Sequence, residues 1–303
     1  MKSLKTPLRY PGGKSRAVPK LFEYLPKEIS EYREPFLGGG SMAIAITKAY
    51  PDVPIWVNDL YEPLYNFWVN LREFGTSMTE ELRSLKKENQ NTETARALFD
   101  FCKVQVNDKD VDPLQRAVAF YVVNKCSFSG LTESSSFSGQ ASNNNFTMRG
   151  IEKLPEYSDL IADWKITNLS YEEVVADCTH KTPIGSVNET AFIYVDPPYN
   201  IKDVLYGKKG NMHKGFDHAK FADTMDSVLS NVMISYNNHP DIQQRFDEWH
   251  QYDWDHTYTM RSVGDYMKDQ HARKELVLFN YQTEEQKRKE MEMISAGSNV
   301  TFL

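Results

Sequence analysis

The chain is poor in the residues that would mark several common classes of protein. Its 303 residues include three cysteines, Cys102, Cys126 and Cys178, scattered without the paired spacing of a zinc site. They read as structural thiols, and no metal is expected. No apolar run reaches the roughly 20 residues of a membrane helix, and Met1-Lys2-Ser3-Leu4-Lys5-Thr6-Pro7 is too polar for a secretory leader. The expectation is a soluble protein of the cell interior, the cytoplasm. No internal repeat is visible. Positive charge is also short: a formal net charge of −7 stands against a nucleic-acid partner, whose phosphates ask for Lys and Arg. Finally, Gly12-Gly13-Lys14-Ser15 has only the end of a phosphate loop. Leu8 stands where the first glycine should be and no buried strand precedes it, which excludes a nucleoside triphosphatase of that type.

What is present is a strand-like apolar run, Ala191–Val195, that ends in Asp196-Pro197-Pro198-Tyr199. This places a carboxylate, a rigid corner and an aromatic face at one strand end, a site for a flat ring bearing an amine. An exocyclic amine on a nucleobase is a poor nucleophile because its lone pair is delocalised. Asp196 can accept one N–H bond, charge-assisted and so stronger than a neutral one, and the Pro197 carbonyl another. Pro197 and Pro198 fix φ and remove two competing donors. Tyr199 offers a stacking face, worth roughly 1–3 kcal/mol per base.

A second constellation lies near the start. Glu34-Pro35-Phe36-Leu37-Gly38-Gly39-Gly40-Ser41 leads into the helix formers Met42–Tyr50, and Pro54–Asn58 reads as a short strand ending at Asp59. Strand, glycine turn, helix, strand and acid follow in the doubly wound pattern, with the acid about 20 residues beyond the glycines, where a ribose is held. The pair suggests a nucleoside-containing cofactor.

Taken in order, Pro7-Leu8-Arg9-Tyr10-Pro11-Gly12-Gly13-Lys14, Glu34–Ser41, Asn58-Asp59, Asn124-Lys125 with Phe128-Ser129-Gly130-Leu131, and Asp196–Tyr199 resemble the motifs of the Dam-like DNA adenine-N6 methyltransferases, in their α arrangement. The resemblance implies S-adenosylmethionine as cofactor, held by Tyr10, Lys14, Phe36, Gly38, Gly40, Asp59 and Asp196. It implies catalysis by Asp196, Pro197, Pro198 and Tyr199 on an adenine flipped from duplex DNA. Tyr10 stands where tryptophan is commoner in the family and keeps the aromatic face. Glu133 stands near the place of an arginine and would repel a phosphate, so no target sequence is read from that segment. No cysteine follows a proline, so the nucleophile of a cytosine-C5 methyltransferase is missing and direct transfer to an amine is implied. Two rivals stand beside this reading: cytosine-N4 methylation, whose enzymes usually carry serine in place of Asp196, and a non-catalytic DNA-binding relative, against which intact Gly38, Asp59, Asp196 and Tyr199 speak.

Local clustering offsets the negative total. Lys2, Lys5, Arg9, Lys14, Arg16 and Lys20 precede the first acid, and Lys202, Lys208, Lys209, His213 and Lys214 follow the tetrad; Arg261, Lys268, His271, Arg273 and Lys274 make a third group. Arg9, Asn124, Lys125, Phe128, Lys208 and Lys209 are the candidate DNA contacts, the last two on a flap over the flipped nucleotide.

The fold class expected is α/β, a Rossmann-like methyltransferase sheet with an inserted, mainly helical DNA-recognition domain. Residues 1–61 and 158–282 form the catalytic domain, 62–157 the insert and 283–303 a charged tail. Within the insert, Thr79–Lys87 and Pro113–Val123 read as helices. The Ser/Gly/Asn-rich stretch 127–145 reads as a long loop in which Phe128, Phe137 and Phe146 stack on bases or anchor to the core, and Asn143-Asn144-Asn145 face adenine edges or simply turn. Later, His218–Leu229 reads as helix, and Val232–Tyr236 and Glu275–Tyr281 as strands. Oligomeric state, target sequence and any partner nuclease are not legible.

Overall fold

The structure, a computed structural model, describes residues 4–10, 12–128, 130, 136–180, 187–199, 215–255, 274–283 and 286. Along the chain come α1 (Val18–Leu21), β1 (Glu31–Glu34), α2 (Ser41–Ala49), β2 (Ile55–Asn58), α3 (Glu62–Glu88), α4 (Thr92–Gln105), α5 (Pro113–Cys126), α6 (Gly139–Asn145), α7 (Met148–Ile151), α8 (Leu154–Leu160), β3 (Lys165–Thr167), α9 (Tyr171–Val175), β4 (Ala191–Val195), β5 (Asn231–Asn237), β6 (His250–Asp255) and β7 (Lys274–Phe279). Helices His218–Asp226 and Pro240–Arg245 flank β5.

The strands make one seven-stranded sheet in the order β3-β2-β1-β4-β5-β7-β6. Neighbours from β3 to β5 are parallel, whereas β7 runs antiparallel to both β5 and β6. β4 is buried throughout because both faces are covered, as parallel strands require. Its side chains divide by period two. Phe192 and Tyr194 join the core that includes α2, α3 and α5, while Ala191, Ile193 and Val195 join a second core under helix His218–Asp226. Strand order reverses between β1 and β4, so the crevice at their C-terminal ends is the topological switch point, where doubly wound sheets bind ligands.

Between β2 and β3 the chain is helical. α3 holds both the expected helix at 79–87 and the residues before it, with a non-helical Phe74 (φ −130°, ψ 31°). Ser158 Oγ donates to the Arg72 carbonyl at 2.9 Å, and a Cβ on Gly75 would lie 2.5 Å from Ser158 Cβ. The kink therefore sits where α8 presses onto α3. α5 begins with Asp112 accepting from Leu114 N at 2.9 Å and Pro113 in the first turn, and it is buried along most of its length. These helices share one continuous core with the sheet, and Trp68 Nε1 donates to the Gly38 carbonyl at 3.1 Å. The expected boundary at 157 falls within α8.

Three expectations are revised. The stretch 127–145 ends in a helix, α6, because Ser138 caps it onto Ala141 N at 3.1 Å and buried Ala141 and Ser142 anchor it, which outweighs poor local propensity. Helix His218–Asp226 stops short of Leu229, where Val228 bridges to Thr179. The edge strand β6, His-Gln-Tyr-Asp-Trp-Asp, was not anticipated; its polar composition suits an edge and weakens the strand signal. Lys208, Lys209, the rest of their basic group, most of the third group and the tail beyond Gln286 lie outside the described residues.

Candidate active site

β1 delivers the glycine turn. Gly38 and Gly40 have φ of +50° and +68°, conformations that an L side chain rarely adopts. A Cβ on Gly38 would lie 2.9 Å from Tyr10 Cε1, and one on Gly40 would lie 2.9 Å from Trp68 Cζ2. The turn is thus packed between the Tyr10 ring and an indole. Gly40 offers no side-chain cap to α2; instead the Glu34 carboxyl accepts from Ala43 N, inside the first turn, and from Tyr32 Oη at 2.7 Å.

Asp59 follows β2 and holds this turn. Its Oδ2 accepts from Gly38 N at 2.8 Å and its Oδ1 from Tyr61 N at 2.9 Å. Each oxygen keeps a further lone pair for a ligand. Burial pushes its pKa up to about 6, against the pull of the two amides. Asn58, buried beside it, ties three strand ends together. Its Nδ2 donates to the carbonyls of Pro35 and Leu169 at 3.0 Å each, and its Oδ1 accepts from Leu169 N at 2.8 Å.

β4 delivers Asp196, Pro197, Pro198 and Tyr199. Lys14, only 3% exposed, donates to both Asp196 oxygens, at 2.8 and 2.9 Å, and to Tyr199 Oη at 2.5 Å. Its Nζ lies 3.1 Å from Glu275 Oε1, and the Tyr199 hydroxyl donates to the same Glu275 oxygen. Burial raises the Asp196 pKa to about 6, with Lys14 opposing and Glu275 reinforcing the rise. Glu34 is pushed well above the carboxylate range by burial, and then by Asp196 and Asp59. Three carboxyl groups therefore converge at the ends of β1, β2 and β4. The Tyr199 ring stacks on Tyr236 with centroids 6.0 Å apart, and Phe36 on Tyr171 at 5.5 Å. Phe216 and Phe221 close around the second pair.

Sequence reasoning named the tetrad, the glycines, Tyr10, Lys14, Phe36 and Asp59, and the structure gathers them along this one edge of the sheet. It gave no role to Glu275, Tyr171, Tyr236 or Asn58. A buried glutamate heading the apolar run Leu276–Phe279 was the available signal for the first, and an aromatic just beyond a strand end for the second.

The other candidates sit elsewhere. Asn124 is fully buried: its Oδ1 accepts from Arg9 N at 2.9 Å, and its Nδ2 donates to the carbonyls of Arg9 and Gly130 at 2.7 and 2.8 Å. The carboxamide is thus a clamp between segments. The Arg9 guanidinium, its pKa lowered by burial, donates to the carbonyls of Ser127 and Phe128 at 2.6 and 3.1 Å. Lys125 is half-buried over the Tyr121 ring, and burial followed by Arg9 brings its pKa down to about 8. Phe128 is 55% exposed, while Phe146 is buried and Phe137 packs edge-on against Phe99 at 5.7 Å, so the latter two anchor the segment. Asn143 and Asn144 are exposed on α6. Among the described residues no acidic, His or Cys group is arranged for a metal, and no helix is long and apolar enough to cross a membrane.

Strand order, glycine turn and the acid after β2 define a Rossmann-like methyltransferase sheet, with the Asp196–Tyr199 tetrad at its switch point. A family model described as D12 class N6 adenine-specific DNA methyltransferase matches residues 10–260, and the chain belongs to that family. It is an adenine-specific DNA methyltransferase by family, not a cytosine-N4 enzyme. The type II methyltransferase M.MjaIII of Methanocaldococcus jannaschii is 27% identical over 63% of this chain and 68% of its own. The type II methyltransferase M.CviBI of Paramecium bursaria Chlorella virus NC1A is 21% identical over 92% of this chain and 100% of its own. The DNA N-6-adenine-methyltransferase of Escherichia phage P1 is 31% identical over 41% of this chain and 15% of its own.

Proposed function

We propose that the enzyme takes its methyl group from S-adenosylmethionine and places it on N6 of an adenine turned out of duplex DNA, with Asp196 and the Pro197 carbonyl orienting the amine. The observation that carries this reading is the arrangement of Asp59 on Gly38 and Asp196 on Lys14 at the ends of β2 and β4, on either side of β1.

The residues fit the cofactor. Asp59 would keep lone pairs for ribose hydroxyls, the half-buried Phe36 and Tyr171 rings suit a purine, and the Asp59 and Asp196 carboxylates make a negative field that suits a cationic sulfur. Bound there, S-adenosylmethionine supplies an activated methyl group on a sulfonium. Tyr10, Phe36 and the side-chain-free turn at Gly38 and Gly40 wall its site. Extruding the base costs a few kcal/mol, because N6 cannot be reached inside the pair. Tyr199 supplies a face for the flipped ring. Asp196 and the Pro197 carbonyl would each accept one N6–H bond, so that the lone pair points along the line of attack; the N–C bond would form as the methyl–sulfur bond breaks with its electron pair left on sulfur, and the proton lost from N6 would pass to Asp196 or to water. Positioning and preorganised charge do most of the work.

The helical segment 62–157 is the recognition domain in this reading, with Phe128 as the exposed aromatic available to DNA. The cell interior, a bacterial cytoplasm or the host cell of a phage, is where such a substrate lies. The test is to incubate the protein with S-adenosylmethionine labelled in the methyl group and mixed-sequence duplex DNA, and to digest the DNA to nucleosides. Label in N6-methyladenine that disappears with Asp196→Ala supports the reading; label retained by that variant overturns the role given to Asp196.

A further inference from the structure

Glu275 is a 1%-exposed carboxylate at the head of β7, brought to the tetrad because β7 inserts antiparallel beside β5. It touches both groups that flank Asp196: the Lys14 ammonium at 3.1 Å and the Tyr199 hydroxyl, which donates to it. Lys14 meanwhile sits astride both Asp196 oxygens, at 2.8 and 2.9 Å. That is the place an N–H donor of the target amine must take. One ammonium is thus shared by two carboxylates, Glu275 buried and Asp196 23% exposed, only the second of which has work to do on the substrate.

We propose that Glu275 is a positioning residue of the methyl-transfer site: it seats the Lys14 ammonium and the Tyr199 hydroxyl so that the Asp196 oxygens are released to the incoming amine. Resting Lys14 keeps the partly buried Asp196 charge compensated while no base is present, which matters because an uncompensated charge shielded from water is costly. When the amine arrives, Lys14 shifts its bonds onto Glu275, already within reach, and Asp196 exchanges an ammonium donor for the N–H of the amine. The bond from Tyr199 to Glu275 holds the phenol ring against Tyr236 and sets the face offered to the base. The inference rests on the reading that Asp196 orients N6.

The test compares Glu275→Gln, Glu275→Asp, Lys14→Met and the double variant Lys14→Met/Glu275→Gln in steady-state methylation of duplex DNA. Folding is checked by thermal melting and cofactor affinity by calorimetry. Glutamine keeps the shape but removes the charge that draws Lys14 away, so kcat should fall about 10–100-fold while cofactor Kd changes little; aspartate should restore part of the loss. The double variant should be no slower than Lys14→Met alone, because Glu275 acts through Lys14. A structural role would not move the pH profile, whereas this one does. The groups facing Asp196 are Lys14, Glu275, Tyr199, Glu34 and Tyr194, and loss of the Glu275 charge should carry the acid limb of kcat/KM to lower pH. Wild-type kcat and an unmoved acid limb in Glu275→Gln would overturn the proposal, as would losses that multiply in the double variant. Should Glu275→Gln not fold, Glu275→Asp and the Lys14→Met pH profile carry the same comparison. Activity retained by Asp196→Ala would instead sink the reading beneath it.

Discussion

Asp59→Asn separates the binding role of this side chain from its structural one. Its two oxygens accept from Gly38 N and Tyr61 N at 2.8 and 2.9 Å. Asparagine keeps one acceptor oxygen and turns an NH2 toward the other amide, which leaves a donor unsatisfied at a cost of about 1–3 kcal/mol. Against this stands the expense of keeping the carboxylate charged. Its pKa is pushed up to about 6 by burial, a rise that costs the fold up to about 3 kcal/mol at neutral pH, or about 1–2 once its partial exposure is allowed for. The two effects oppose each other and nearly cancel, so the melting temperature should move by no more than about 4 °C. Cofactor binding has no such offset. Losing a charge-assisted bond to a ribose hydroxyl, worth about 1.5–3 kcal/mol, should weaken Kd about 10–100-fold. Calorimetric titration with S-adenosylmethionine and a thermal melt measure the two quantities on one sample. An unchanged Kd would refute the ribose assignment, and a melting temperature lowered by 10 °C or more would show that Asp59 serves chiefly to build the turn.

Gly38→Ala forces a Cβ to within 2.9 Å of the Tyr10 ring at a φ of +50°, and should cost about 1–2 kcal/mol from backbone strain alone, besides weakening cofactor affinity; melting and calorimetry check it, and wild-type values for both would refute the packing argument. The acid limb of kcat/KM should fall near pH 6, as Asp59 and Asp196 lose the charge that suits a cationic sulfur. Stability should move the other way. Both carboxyls have pKa values raised above those of the unfolded chain, so folding binds protons and these two groups favour the fold more as pH drops from about 6 toward about 4; a melting temperature that fell in step with activity between pH 7 and 5.5 would contradict this. Phe128→Ala removes a 55%-exposed ring and should leave melting within about 2 °C while weakening duplex DNA binding about 5–100-fold, read by fluorescence anisotropy. Asn124→Ala, by contrast, breaks three buried hydrogen bonds and should destabilise by about 2–4 kcal/mol, measured by denaturant unfolding.

Much of the site was legible because its chemistry is local in sequence. Asp196–Tyr199 and Gly38–Gly40 each sit where an apolar strand stops, so strand, turn and functional group are read in one window. The partners of Lys14 were not, because Glu275 lies at the far end of the chain and only the insertion of β7 beside β5 brings the two together. Secondary structure divided along the same line. The fully apolar β4 and the apolar run Leu276–Phe279 of β7 announce themselves, whereas α6 is written in serine, glycine and asparagine and is held by a cap and by burial that only the fold supplies. Asn124 shows the limit of motif reasoning: it stands in a segment expected to touch DNA, yet its carboxamide is buried and clamps Arg9 and Gly130.

That clamp explains why the motif near the start and the one near residue 124 belong together. Asn124 grips both the amide and the carbonyl of Arg9, and the Arg9 guanidinium in turn holds the carbonyls of Ser127 and Phe128. A residue further on, the Tyr10 ring lies against the glycine turn, and after a bend closed by Gly13 N on the Tyr10 carbonyl at 3.0 Å comes Lys14, on Asp196. The five Cα–Cα steps from Arg9 to Lys14 span at most about 17 Å. Within that reach one strap is tied to the segment bearing Phe128, to the glycine turn after β1 and to Asp196. Each tie alone is an ordinary packing contact. Together they leave the strap little freedom to shift at one end without disturbing the other, so the glycines, Asp59 and Asp196 are held in register by a stretch of chain that itself contributes a ring and an ammonium to the site. Preorganisation of this kind lets a reaction that depends on aiming a weak nucleophile proceed without reorganising the protein at the moment of transfer.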